Sequence, residues 1–506
     1  MSKRRLSLRF GVVLSVVSAL LLSACSSPAD DAPSQTPSSS VLDVGATTEP
    51  DGMDPITVSG AGTPFVLLYN VYETLVKLDS EGTIRPLLAE EWSLSPDMLV
   101  YTFQLDGAAK FADGTPVTAD AVVTSFQRII DGDATAQIQG SFAPVEKVEA
   151  NGDHTVDITL TQPSNRFLFD LTTPAGMVFN PTGLDSLETA SAGSGPFVLG
   201  EWVQGSKVEL LRNKNYWGTP ARFDVVNFRY YADPNAMNTA MLSGQLDIIS
   251  NLTVPQSIGQ FSDEDRYRVT EGTTDGEIVL GLNHATEALA KPEVRQAINQ
   301  ALDKKAIVDA AWAGYGILLG SMASPNDPWF TDLSDRWPYD PAKAKELLAA
   351  AGYESGLNLR LRVPTLPYAP AAARVITAQL AEAGITVQVE ELDFSRWLDE
   401  VYTKHDYDMT IVAHVEPRDA RAYAIEGNYW NYVNPEFNQL LLDADAAPAD
   451  QEAEIMAQAV QLLADDAASA WLWLLPRIVV TTTEISGVDA NQRTLAFDLT
   501  NIASRS

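Results

Sequence analysis

One thiol, four imidazoles and 67 carboxylates are the side chains of this 506-residue chain that could serve nucleophilic, acid–base or metal chemistry. Their spacing does not suit an enzyme. His154, His284, His405 and His414 are too scattered to set up a triad or a metal site, and no H-E-x-x-H, G-x-S-x-G or cysteine pair occurs. The turn at Gly193–Gly195 lacks the strand-to-helix setting of a phosphate loop and reads as a hinge or turn. Among so many acids two carboxylates can meet by chance, so a secreted lipoprotein hydrolase stands as the competing class; turnover of peptides or glycosides would reveal it. Cys25 is a separate case. It follows Leu22-Ser23-Ala24 at the end of an apolar run, where a thiol at a cleavage point is a nucleophile available for thioether formation. As the only cysteine it excludes an intrachain disulfide.

The elements around that thiol describe export. Lys3, Arg4, Arg5 and Arg9 precede an apolar run from Phe10 to Leu22, about 13 residues against the ~20 that a bilayer span requires. Residues 1–24 are therefore expected to be a signal peptide, and no later segment reaches spanning length. The tetrad ending in Cys25 resembles the bacterial lipobox, which implies lipidation of Cys25. Each buried CH₂ of an attached chain contributes roughly 0.8 kcal/mol, so two or more chains anchor stably. Ser26 to Ser40 has no aromatic or large aliphatic side chain, and 25–40 is expected to be a flexible tether.

About 480 residues remain, too many for one core, so two or three lobes are expected. The net charge of −33 becomes −37 once the four basic residues of the signal are removed. That disfavours nucleic acid and anionic lipid surfaces as partners, which need clustered Lys and Arg. Strand and helix signals alternate, which argues α/β lobes. Leu99, Tyr101, Phe103 and Leu105 alternate, as do Val156, Ile158 and Leu160, and Ile385, Val387 and Val389. Thr118 caps a helix carrying Val122, Phe126, Ile129 and Ile130 on one face. Pro292 opens a helix with Val294, Ala297, Ile298, Ala301 and Leu302 inward; Asp340-Pro341 opens another, with Ala344, Leu347, Leu348 and Ala351 inward and Gly352 as its stop. No repeat and no second linker appear, so the lobes are expected to interweave.

Specific strings then emerge. Tyr72-Glu73-Thr74-Leu75 leads to Pro86-Leu87-Leu88-Ala89-Glu90-Glu91-Trp92 and to Lys110-Phe111-Ala112-Asp113-Gly114-Thr115-Pro116. Further on come Gly193-Ser194-Gly195-Pro196-Phe197, Tyr216-Trp217, Gly244-Gln245-Leu246-Asp247, and Leu282-Asn283 with Val294-Arg295-Gln296-Ala297-Ile298. In this order they resemble the family 5 solute-binding proteins of ATP-binding-cassette (ABC) importers, the peptide, nickel and opine group, over residues 41 to 506. Read from the residues alone, most of these strings are structural: Asp113 to Pro116 makes a turn, and Leu88, Trp92 and Phe103 look like core.

The resemblance implies an α/β, two-lobe periplasmic-binding-protein-like fold of the large class II, cluster C type, with hinge strands and a domain inserted in lobe one. Lobe one is expected over 41–72, 193–282 and 479–506, the insert over 73–192, and lobe two over 283–478. A solute in the cleft favours the closed form, and the permease's transmembrane subunits then receive it. The Gly-rich loop Ser59 to Phe65, with Gly62, Thr63 and Pro64, matches where relatives place backbone contacts. His414, Glu416, Arg418 and Asp419 follow a strand in lobe two, where peptide-binding relatives pair an Asp with the α-ammonium. Here Pro417 takes the expected position and Glu416 and Asp419 flank it. Either acid can bind an ammonium, while Arg418 can receive a carboxylate or pair with a neighbour. Tyr429 and Trp430 can stack on a ligand or pack in the core. Val363 to Ala371 is expected beside the cleft. A peptide is the favoured solute; an oligosaccharide, a nickel chelate and an opine are the alternatives. No cofactor or metal is expected, and the protein is expected to be a monomer on the extracytoplasmic face of the membrane.

Overall fold

The computed structural model describes residues 40–505. The signal peptide, Cys25 and the tether up to residue 39 lie outside the described residues. Ser40 is fixed: its backbone N donates to Asp224 Oδ2 at 3.0 Å.

An 11-stranded sheet organises the chain. In lobe one, Val41–Ala46 pairs in parallel with Val225–Tyr230 on one side and with Ile248–Ile249 on the other. Lys207–Arg212 and Phe197–Val203 extend this half antiparallel. In lobe two, Leu357–Pro364 lies parallel to both Ile385–Leu392 and Met409–His414. Two long strands, Tyr267–Leu282 and Ser469–Thr482, run antiparallel through both halves. Tyr267 to Thr273 pairs with Thr482 to Pro476 on the lobe-one side; after a register shift between Thr273 and Glu277, Glu277 to Gly281 pairs with Leu474 to Ser469. From Glu277 onward the same strand also pairs with Met409–His414. These strands are the covalent hinge.

The cores divide accordingly. Leu42, Val44, Val226, Phe228 and Val479 share one cluster with Phe103 and Ile158 of a smaller sheet. In lobe two the alternation of the hinge strand sends Ile278, Leu280 and Leu282 to one face and Val279 to the other, so helices cover both sides. The C-terminal return is tied into lobe one by buried Asn70, which donates to Phe497 O at 2.8 Å and accepts from Leu499 N at 3.0 Å.

The smaller sheet is antiparallel and four-stranded: Ala89–Leu94, Val100–Leu105, Thr155–Leu160 and Val145–Ala150. The helix Ala119–Ile130 packs on it, capped by Thr118, whose side chain accepts from Ala121 N. Val122, Phe126 and Ile129 are buried as their spacing requires, whereas Ile130 is exposed at the helix end. The helices Pro292–Gln300 and Pro341–Ala350 form with Pro at their starts, and Gly352 takes φ +92° just past the second. One expectation needs correction: Trp92 is only partly buried, on the edge strand of the smaller sheet. Ile385, Val387 and Val389 do form a strand, Ile385–Leu392, and because it is the edge of the large sheet Val389 is exposed.

Candidate ligand-binding cleft

A cavity of about 690 Å³ opens between the lobes. Its floor and walls come from distant parts of the chain: the loop around 55–64, segments 135–144 and 161–174 next to the smaller sheet, the lobe-two loop 416–425 with Asp445, and 493–495 of the C-terminal return. The lobes touch at one side of it. Asn165 Nδ2 donates to Ala444 O and Ala447 O, both at 2.8 Å, and Arg166 Nη1 donates to Arg418 O at 3.3 Å. The structure is therefore an arrangement in which lobe two rests against lobe one.

Most charges in the wall are already matched. Arg166 pairs with Asp170 at 3.2 Å, and Arg421 forks onto Asp445 at 2.7 and 3.0 Å. Asp419 Oδ2 lies 2.6 Å from His414 Nδ1, and His414 Nε2 lies 2.8 Å from the Tyr429 hydroxyl. Glu416 makes no ion pair among the described residues. Burial, then the charge of Asp419, holds its carboxyl above the usual range. A carboxylate raised this way is relieved by an incoming cation.

Pro64, Glu416 and Asp419 line the cavity, together with Ser59 and Gly60. Gly62, Thr63, His414, Arg418, Tyr429 and Trp430 stand behind its surface. A Cβ at Gly62 would come within 2.4 Å of Glu49 O, so this glycine serves close backbone packing. Thr63 Oγ1 donates to Gly52 O at 2.9 Å. Arg418, at φ +59°, turns its guanidinium onto the Phe169 ring 3.8 Å away and toward Trp329. Trp430 stacks on Tyr423 with centroids 4.0 Å apart and rings 4° from parallel. Gly281 makes room for it, since a Cβ there would approach the indole nitrogen to 2.9 Å. Tyr368 is buried and its hydroxyl accepts from Ala413 N at 3.0 Å, and no residue of 363–371 lines the cavity. His284 packs edge-on against Tyr432 and is pushed down to about 4 by burial.

The model for bacterial extracellular solute-binding proteins, family 5, matches residues 83–425. The chain belongs to that family. It is thus the extracytoplasmic solute-binding component of an ABC importer. The probable D,D-dipeptide-binding periplasmic protein DdpA of Escherichia coli K12 is 29% identical over 478 residues, 88% of this chain and 91% of that protein. The glutathione-binding protein GsiB of the same organism is 29% identical over 340 residues, 66% of each chain. Among solved structures, the agropinic acid complex of AgaA from A. tumefaciens R10 superposes with a TM-score of 0.77 at 26% identity, covering 92% of this chain and 99% of that one. Among the described residues no helix is long and apolar enough to cross a membrane, and no group of His, Cys, Asp or Glu is placed to hold a metal ion.

In this family 5 protein, sequence reasoning missed the share of the cleft that lies around 135–174. Gln137, Arg166, Phe169 and Asp170 form that wall. The i,i+4 spacing of Arg166 and Asp170 on the helix Asn165–Asp170 was a visible signal. Arg421 and Asp445 were not visible as a pair, because they meet only when the helix Pro435–Ala446 packs beside the loop.

Proposed function

We propose that this protein captures a small peptide, a dipeptide or short oligopeptide, in the cleft and closes its lobes around it before delivery to the membrane permease. The observation that carries this reading is Glu416, a carboxylate without an ion pair among the described residues, in the wall of a cavity of about 690 Å³, a size within the roughly 300–1,000 Å³ usual for small-ligand sites. An α-ammonium there gains a charge-assisted bond and removes the repulsion from Asp419. The names of DdpA and GsiB, binders of a dipeptide and of glutathione, support the peptide class. The finer division also belongs to this proposal: lobe one over 41–72, 193–273 and 476–506, the insert over 73–192, and lobe two over 277–474, with the crossing at the register shift rather than at 282 and 479, because Ile278, Leu280 and Leu282 pack in the lobe-two core. So does acylation of Cys25, which would hold a monomer on the extracytoplasmic face. A binding role without turnover agrees with the relatives, which are binding proteins.

Titration calorimetry of the signal-free chain with di- to tetrapeptides and their N-acetylated forms tests the reading. Free peptides are expected to bind, and both acetylation and Glu416→Gln to weaken them by about tenfold or more. Equal affinity for acetylated peptides would remove the ammonium role. Binding only of an opine, an oligosaccharide or a nickel–histidine complex would replace the solute class, and hydrolysis of the peptides would restore the enzyme reading. AgaA makes the opine the strongest of these alternatives.

A further inference from the structure

The crossing point of the two hinge strands is crowded with carboxyls. Glu277 stands at the register shift, opposite His414 on one flank and Leu474 on the other. Its residue is 5% exposed, and Oε2 has no hydrogen-bond partner among the described residues. The charged groups that act on it are Asp327, Asp419 and Asp275, all acids. The imidazole of His414 is held by Asp419 and Tyr429, and the nearby Tyr423 hydroxyl is hydrogen-bonded to Ser469 Oγ at 2.8 Å.

The neighbouring acids belong to a clasp. Asp275 Oδ1 accepts from Asn326 Nδ2 at 2.8 Å, and Asp327 Oδ2 accepts from Ser324 N at 2.9 Å. Asn326 also reaches Thr274 O at 3.1 Å and Gln492 O at 3.2 Å. The loop 324–327 thereby binds the hinge strand to the C-terminal return. The cations in range act on the outer acids: Arg493 on Asp275, and Arg418 and Arg166 on Asp327. None of them is paired with Glu277. An ionised carboxylate left unpaired among protein atoms is strongly disfavoured and takes up a proton instead.

We propose that these hinge carboxyls make lobe closure a proton-uptake step: the closed lobes hold Glu277 and its neighbours protonated, and opening releases those protons to water. The proposal rests on the hinge-closing reading above. Burial holds Glu277 well above the ordinary 4.5 and lifts Asp275 to about 7 and Asp327 to about 6. On this proposal, opening parts the loop 324–327 from Gln492 and Arg493, which it touches at 3.2 and 3.3 Å, and the water admitted there returns these groups toward ordinary values. The closed form therefore binds more protons, and a rise in pH through this window drains it toward the open form.

Small-angle scattering on the signal-free chain at pH 5 and pH 8 reads the lobes directly, starting from a compact radius of gyration of about 23 Å. The wild type is expected to expand between the two pH values. Glu277→Gln, which mimics the protonated group at nearly the same size, is expected to lose at least half of that expansion. A variant without the lobe contact, Asn165→Ala with Arg166→Ala, reports whether the lobes separate at all. If it expands while the wild type keeps one radius at both pH values, the hinge moves without protons and the proposal is overturned. Expansion of Glu277→Gln as far as the wild type overturns it equally. If the contact-free variant also stays compact at both pH values, the hinge-closing reading falls, and the proton coupling with it.

Discussion

Glu73 is buried at 1% exposure, and its two oxygens accept from the Tyr216 hydroxyl at 2.8 Å and from the Trp217 indole at 2.9 Å. The two strings that carry these residues were visible in the sequence as separate pieces; that they meet was not, because 143 positions separate them. Burial raises the Glu73 carboxyl from 4.5 to about 7. Between those values the folded chain holds a proton that the unfolded chain has released, so Glu73 costs stability as pH climbs from about 4.5 and the loss levels off above about 7. Urea unfolding at pH 5 and pH 8 should show Glu73→Gln losing less stability over that interval than the wild type, by on the order of 2 kcal/mol. Equal losses would show that the carboxyl is ionised throughout. The cleft residues teach the same lesson. Glu416 and Asp419 were legible only through the resemblance, which sets them on either side of the position where peptide-binding relatives carry an Asp, and both reach the cavity wall. Thr63, His414 and Trp430 carry equally suitable side chains, yet local hydrogen bonds and stacking claim them first.

Elements were more legible than contacts, since periodicity and caps act within a few residues. The helix Ala119–Ile130 shows this: Thr118, the buried stripe and the end are all readable in one short string. Thr118→Ala removes the acceptor for Ala121 N and should cost about 1 kcal/mol. Thermal unfolding measures it, and an unchanged midpoint would mean that water caps the helix as well as the hydroxyl does. The edge strand Ile385–Leu392 shows the limit. Its alternation is real, but the face that Val389 occupies is left uncovered, and coverage is a property of neighbours rather than of the strand. The helix Asn165–Asp170 is the converse: six residues with a modest signal that supply a wall of the cleft and the contact to lobe two.

At the scale of the molecule, the two-lobe α/β architecture was implied by the order of the family 5 strings, and the sheet bears it out through two strands shared by both halves. What the strings did not contain was the composite cleft, built from segments far apart in the chain that converge only on folding. Its volume, the acid in its wall that lacks an ion pair among the described residues and its position across the hinge are the grounds for solute capture. Native mass spectrometry of the signal-free protein (from Ser26), purified gently and released from its ligand in the gas phase, tests that claim most directly. A retained mass that fragments as a short peptide is the predicted result. Protein that arrives empty and stays empty across peptide, sugar and metal-chelate libraries would contradict it.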